Sequence, residues 1–232
     1  SFVRKPTDIE YIREVLGPAG SHVKIIGKIE NQEGLKNYDQ ILEAAAVEFR
    51  EQGFTSASMD GISARAGASK RTVYRYFESK ESLFRAFIER HWSRFAETLD
   101  VRYEPGRDIR AQLTDIGRAE GRLLTSPEVM ATTRMIMTEL LRNPDIADED
   151  QEKTDYRSAL AAMLAQAKND GQLKLDDASV VAEEFVGLIK ARAFWPVVLG
   201  APVVSCPEME QIVENSVEMI MCRYRNDSEE SK

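Results

Sequence analysis

Residues 53–84 read GFTSASMDGISARAGASKRTVYRYFESKESLF. Local signals divide this stretch into short helices. Gly53 sits where a helix end favours a left-handed residue. Ser58 is a candidate N-cap for a helix over residues 59–66, and Gly67 lets the backbone turn. Ser69 opens a further helix through about Phe77, with Val73 and Phe77 toward the core. Ser79 caps a longer helix that runs past Trp92. The helix begun by Ser69 carries Lys70, Arg71, Thr72, Tyr74, Arg75 and Tyr76 within seven residues. Cations, hydroxyls and aromatic rings so concentrated on one short helix, after a glycine turn, suit a DNA major groove. The same charges would also suit a solvated helix face.

The charge distribution sharpens the choice. The 232-residue chain carries a formal net charge of -8, which argues against a general polyanion binder. Between Arg65 and Lys80, however, five basic residues face only Glu78, a net of +4. From Phe95 onward there are 16 basic and 26 acidic residues, a net of -10. A basic island on an acidic body implies one localised nucleic-acid contact. The two cysteines, Cys206 and Cys222, form no disulfide framework and fit a reducing compartment. With only His22 and His91 beside them, no Cys/His metal-ligand spacing appears. No apolar run approaches the roughly 18 residues of a membrane span, and no signal-peptide pattern is read. The expectation is a cytoplasmic protein with no membrane partner, no cofactor, no metal and no catalytic residue.

Around the opening stretch the pattern is helical. Ile41, Ala45 and Phe49 recur at i, i+4 and i+8, so residues 38–52 should form an amphipathic helix. Beyond it, breaks at Glu104-Pro105-Gly106, Ser126-Pro127, Asn143-Pro144, Asn169-Asp170-Gly171 and Ala201-Pro202 separate candidate helices over about 110–124, 128–141, 150–169, 177–199 and 207–224. The expected fold is all-α, with residues 226–232 as a disordered polar tail.

On the helix after Ser69, Lys70 and Arg71 stand at the N-terminal turn that enters deepest into a groove. Arg pairs bidentately with guanine and Lys makes a point contact. Thr72 and Arg75 lie where they reach bases or backbone, and Tyr74, Tyr76 and Lys80 suit phosphate oxygens. Ser58 and Ser69 join this set because the helix N-termini they cap add backbone donors for phosphate. The alternative for Tyr74 and Tyr76 is simple packing between helices.

Residues 38–84 resemble the N-terminal domain of the TetR family of transcriptional regulators. The resemblance rests on Ala45-Ala46 and Phe49, Gly53-Phe54, Ser58-Met59 and Ile62, and Ala66-Gly67-Ala68-Ser69. It continues through Thr72-Val73-Tyr74, Tyr76-Phe77, Ser79-Lys80-Glu81 and Leu83. It implies a three-helix DNA-binding domain over 38–84, with Tyr74, Tyr76 and Lys80 on phosphates and Lys70, Arg71, Thr72 and Arg75 on the base-reading face. Gly61 precedes Ile62 where the family varies freely. Arg71 stands where Gly is frequent, which makes this recognition helix bulkier and more basic. Residues 85–225 resemble more loosely the family's larger helical ligand-binding and dimerisation domain, through Glu139-Leu140-Leu141-Arg142-Asn143-Pro144 and Gly171-Gln172-Leu173. The resemblance implies a homodimer whose seam includes Phe185, Leu188, Ile189, Trp195, Ile212, Val217 and Ile220, and Phe194 is a further candidate. The alternative is that these are core positions within one chain. An unidentified small-molecule effector is also implied, with Trp92, Phe95, Met130, Met137 and Met163 as candidate pocket residues beside Met135 and Phe194. Met at helical spacing is as readily plain core.

Residues 1–44 resemble something different, a segment of pyruvate kinase. The match is clearest at Lys28-Ile29-Glu30-Asn31-Gln32-Glu33-Gly34, with Ser1-Phe2-Val3-Arg4-Lys5 upstream. That family would make Lys28 the catalytic lysine and Glu30 a metal ligand. About 44 residues cannot close an eight-stranded barrel, and one carboxylate cannot hold a catalytic Mg²⁺ with its substrate. Residues 1–37 are therefore an atypical extension, helical over 7–16 and β-prone over 23–29, with Lys28 and Glu30 inactive. The leading reading is a homodimeric repressor that binds double-stranded operator DNA and is released by a small apolar ligand. An enzyme related to pyruvate kinase, and a protein whose basic helix binds an acidic protein patch, are the competing readings.

Overall fold

The computed structural model describes residues 32–146 and 156–226. Among the described residues there are ten α-helices, one short 3-10 turn and no strand, so the fold is all-α. The segments read as helical over 7–16 and β-prone over 23–29, together with Lys28 and Glu30, lie outside them. The described residues divide into two compact units, one formed by 32–93 and 138–146, the other by 94–137 and 156–226.

The first unit begins with α1 (Gln32–Ser56), α2 (Met59–Arg65) and α3 (Lys70–Tyr76), followed by α4 (Lys80–Leu99) up to Ser93. Helix α1 starts six residues before the position its periodicity marks. Gly34 and Asn37 are weak helix formers, but Tyr38, Ile41 and Leu42 just behind them are buried and hold the turn in place. Toward its end, Gly53 has φ 72° and ψ 166°, a left-handed value that breaks the helix and bends the chain toward α2. The core is aromatic. Phe49, Phe54, Phe84 and Phe87 pack with ring centroids 4.7–5.9 Å apart, and Tyr38 stacks on Phe77 at 5.2 Å. Each buried phenyl contributes about 2 kcal/mol of apolar transfer, so these rings dominate the cohesion of a small unit. Arg90 on α4 forms ion pairs with Asp39 and Glu43 of α1.

The second unit comprises the end of α4, α5 (Ile109–Leu124), most of α6 (Pro127–Arg142), α7 (Tyr156–Asn169), α8 (Ala178–Ala193), α9 (Trp195–Val198) and α10 (Cys206–Tyr224). The 3-10 turn Pro144–Ile146 follows α6 in the first unit. Helix α8 packs against α7 and α10, and α5 against α10. The α5–α10 approach is close because α5 has glycine where it meets α10. A Cβ on Gly117 would lie 2.8 Å from Val213 Cγ1, and one on Gly121 2.8 Å from Met209 Cγ. The helix expected over 177–199 is two helices. Pro196 has no N–H for the carbonyl four residues earlier, so α8 stops at Ala193 and α9 restarts at Trp195. Asn226, expected to open a disordered tail, is tied down: its amide donates to Gln172 O at 3.1 Å and its side chain to Gly171 O at 2.9 Å.

Candidate nucleic-acid interface

The caps read from the sequence form. Ser58 Oγ accepts from the Gly61 amide at 3.0 Å, and Ser69 Oγ accepts from the Thr72 amide at 3.1 Å while lying 2.8 Å from Thr72 Oγ1. Each satisfies an orphan donor at a helix start and fixes where that helix begins. Helix α3 then presents two faces. Val73, Tyr76 and the following Phe77 point into the core, and Lys70, Arg71, Arg75 and much of Tyr74 are exposed. Tyr74 is 49% exposed, a large value for an aromatic ring. Lys70 Nζ donates to Asp60 Oδ2 of α2 at 2.6 Å. Both side chains of that pair are more than 60% exposed, so it contributes less than about 1 kcal/mol and does not tie Lys70 down.

Two residues expected on phosphate make contacts within their own unit. Tyr76 is only 3% exposed, and its ring meets Tyr38 edge-on at 6.2 Å. Its hydroxyl accepts from Arg75 Nη2 at 3.0 Å. Tyr76 thus packs between helices and holds Arg75, because the same turn that exposes Tyr74 carries Tyr76 inward. Lys80 engages its own chain as well. Its Nζ donates to Phe54 O at 2.7 Å, Thr55 O at 3.1 Å and Ala57 O at 3.1 Å.

Behind this surface, Arg65 bonds Glu48 through Nε at 3.1 Å and Glu51 through Nη2, pinning α2 to α1. Gly61 belongs to this arrangement, although no local signal in the chain marks the position as constrained. A Cβ there would stand 2.4 Å from Glu48 Oε1, on a carboxylate that is buried and already engaged with Arg65.

The other expected residues divide unevenly. Phe185, Ile189, Ile212, Val217 and Ile220 are buried inside the second unit, so they are core positions within one chain and not a free seam. Their helices α8 and α10 bury these faces against neighbouring elements of the same unit. Leu188 is half-buried and Trp195 is 47% exposed. Val180, Leu199 and Met219 are exposed apolar residues that apolar periodicity alone did not single out. The available signal is the spacing of Val180, Gly187, Ala191 and Trp195, which share the opposite face of the same stretch. Among the candidate pocket residues, Trp92 belongs to the first unit and Phe95, Met130, Met137 and Met163 to the second. Phe95, Met130 and Met163 are buried, and Trp92 and Met137 half-buried. The second unit also buries Glu120 and Thr133 completely. Among the described residues, no group of three His, Cys, Asp or Glu side chains is placed to hold a metal ion. No described helix is long and apolar enough to cross a membrane.

Known proteins resemble the chain in three parts. A model of bacterial regulatory proteins of the tetR family matches residues 41–87. A model of the C-terminal domain of AefR-like transcriptional repressors matches residues 111–226. The barrel domain of pyruvate kinase matches residues 1–49. A TetR family transcriptional regulator from Pseudomonas syringae pv. tomato is 33% identical, with a TM-score of 0.67 over 81% of this chain and 96% of that one. The Flavonoid-responsive Regulator FrrA is 28% identical, with a TM-score of 0.69 over 83% of this chain and 98% of that one. Pyruvate kinase PKLR of Rattus norvegicus is 56% identical over 45 residues, which are 19% of this chain and 8% of the enzyme. The chain thus spans about 8% of the length of the curated pyruvate kinases that it matches.

Proposed function

The chain belongs to the TetR family of DNA-binding transcriptional regulators, and we propose that it acts as a homodimeric repressor of its operator, released by a small, largely apolar effector. The observation that carries this reading is α3. It is capped at Ser69, anchored by Val73 and Tyr76, and shows Lys70, Arg71, Tyr74 and Arg75 to solvent. In this reading residues 38–84 are the DNA-reading unit. Arg71 and Lys70 meet base edges, Thr72 and Arg75 flank them, and Tyr74 reaches phosphate. Ser58 and Ser69 support these contacts by fixing the starts of α2 and α3.

The dimer would use the outward face of α8 and α9, where Val180, Trp195 and Leu199 are exposed around the small residues Gly187 and Ala191. Met219 on α10 adds to it. Apolar residues at helical spacing on an outward face suit a self-complementary contact. The effector would bind among the helices of residues 85–225, and the flavonoid responsiveness of FrrA supports a small organic ligand. Effector binding would favour a state in which the two recognition helices no longer match successive major grooves. In a bacterial cell, contact with an operator would place the chain in the cytoplasm, as the match to bacterial regulatory proteins supports.

The pyruvate kinase likeness leads to no reaction in this proposal. Residues 41–49 of it are shared with the tetR match, and they lie in a helix of the first unit. Selection of bound duplexes from a random-sequence library tests the whole reading. The expected outcome is a pseudo-palindromic site with half-sites about 34 Å apart, occupied by two chains. Recovery of no preferred sequence would contradict it.

A further inference from the structure

The geometry points to Lys80 as the clasp that closes the helix-turn-helix, a positioning residue for DNA binding rather than a phosphate contact. The inference rests on the DNA-binding reading above. A lysine ammonium has three donors, and all three of Lys80 are directed at backbone carbonyls, those of Phe54, Thr55 and Ala57. The Phe54 and Thr55 carbonyls lie at the end of α1 beyond the Gly53 break, and that of Ala57 just after it, where a helix leaves acceptors without intrahelical partners and its dipole is negative. The ammonium also sits 4.6 Å from the Phe54 ring centroid. Three oxygens and one ring face therefore converge on a single cation.

The position of Lys80 in the chain gives this clasp its consequence. Lys80 is the first residue of α4, and Phe54 lies 26 residues before it. Both α2 and α3 fall inside the loop that these bonds close. The corner at 54–57 sets where Ser58 caps α2, and the corner at 77–80 receives the chain from α3. Lys80 joins the two corners, so the angle at which α3 leaves the unit depends on it. Arg71, Tyr74 and Arg75 do not bridge the two corners and remain on the exposed face.

The two roles separate experimentally. Removing one phosphate contact reduces the slope of log affinity against log salt by about 0.9. Lys80→Met keeps the apolar stem and removes the three donors. Its binding to a duplex selected by the wild-type protein is measured across a salt series, beside Arg75→Ala and at a temperature where each variant is folded. The clasp predicts an affinity loss of about tenfold or more for Lys80→Met with the wild-type slope. A slope reduced by about one unit, or unchanged affinity, overturns it. A second measurement needs no variant: amine acetylation of the wild-type protein read by mass spectrometry. Lys80 should label slowly without DNA and no more slowly with it. Rapid labelling that DNA suppresses overturns the inference. If the wild-type protein itself binds no duplex, the DNA-binding reading fails, and slow labelling of Lys80 still tests the clasp.

Discussion

Tyr38 buries its ring between Tyr76 and Phe77, yet its hydroxyl is inaccessible to solvent and has no hydrogen-bond partner among the described residues. Burial, with Glu89 nearby, pushes the phenol above its ordinary range. An unpartnered buried hydroxyl costs about 1–3 kcal/mol. Tyr38→Phe keeps every ring contact and removes that cost, so it should raise unfolding stability by about 1 kcal/mol in a denaturant titration. A loss of stability would show that the hydroxyl is satisfied in solution. At this scale the sequence was legible where chemistry is local. Ser58 and Ser69 cap the helices they were expected to cap, because a cap involves residues only two or three positions away. The roles of Lys80 and Gly61 were not legible, and packing of Tyr76 between helices stood only as the alternative reading. Their roles depend on partners between 13 and 38 positions away, Tyr38, Phe54 and Glu48, and a charge or hydroxyl in a sequence does not name its target.

Helix α10 shows what decides an element. It opens with a reciprocal cap in which Ser205 Oγ accepts from the Glu208 amide and the Glu208 carboxylate accepts from Ser205. The Ser205 hydroxyl and then its amide hold the Glu208 carboxyl below its ordinary value of 4.5. The folded state therefore binds that proton less tightly than the unfolded chain. The contribution of this cap is present above pH 4.5 and fades as the pH falls through the lowered folded value. Glu208→Gln should flatten the acid limb of the stability curve, measured as melting temperature against pH. An acid limb identical to wild type would exclude Glu208 as a source of acid sensitivity. Helix positions were legible within a few residues, since apolar spacing and Pro or Gly breaks are properties of the chain itself. Which face meets which neighbour was not. Phe185, Ile189, Ile212, Val217 and Ile220 show the apolar stripe expected of a seam, but the same stripe serves a core inside one chain. Periodicity identifies a buried face without naming what buries it.

Across the whole molecule, two sequence likenesses meet within one helix. The pyruvate kinase match ends at residue 49 and the tetR match begins at 41, so both include 41–49 of α1. The overlap is physically undemanding: Ile41, Leu42 and Ala45 form a buried stripe that any amphipathic helix could offer. Asp39 and Glu43 of α1 pair with Arg90, and Tyr38 packs on α3 and Phe77, so residues from the enzyme-like segment help hold the first unit together. The basic island of residues 65–80, on a chain of net charge -8, favours α3 as the surface that a polyanion approaches. The most direct measurement is therefore the affinity of an Arg71→Ala, Tyr74→Ala double variant for a duplex selected by the wild-type protein, at one fixed salt concentration. Removing a base contact costs about 1–3 kcal/mol, so affinity should fall at least about tenfold with an unchanged melting temperature. Wild-type affinity in the folded double variant would contradict the assignment of α3 as the DNA-reading helix.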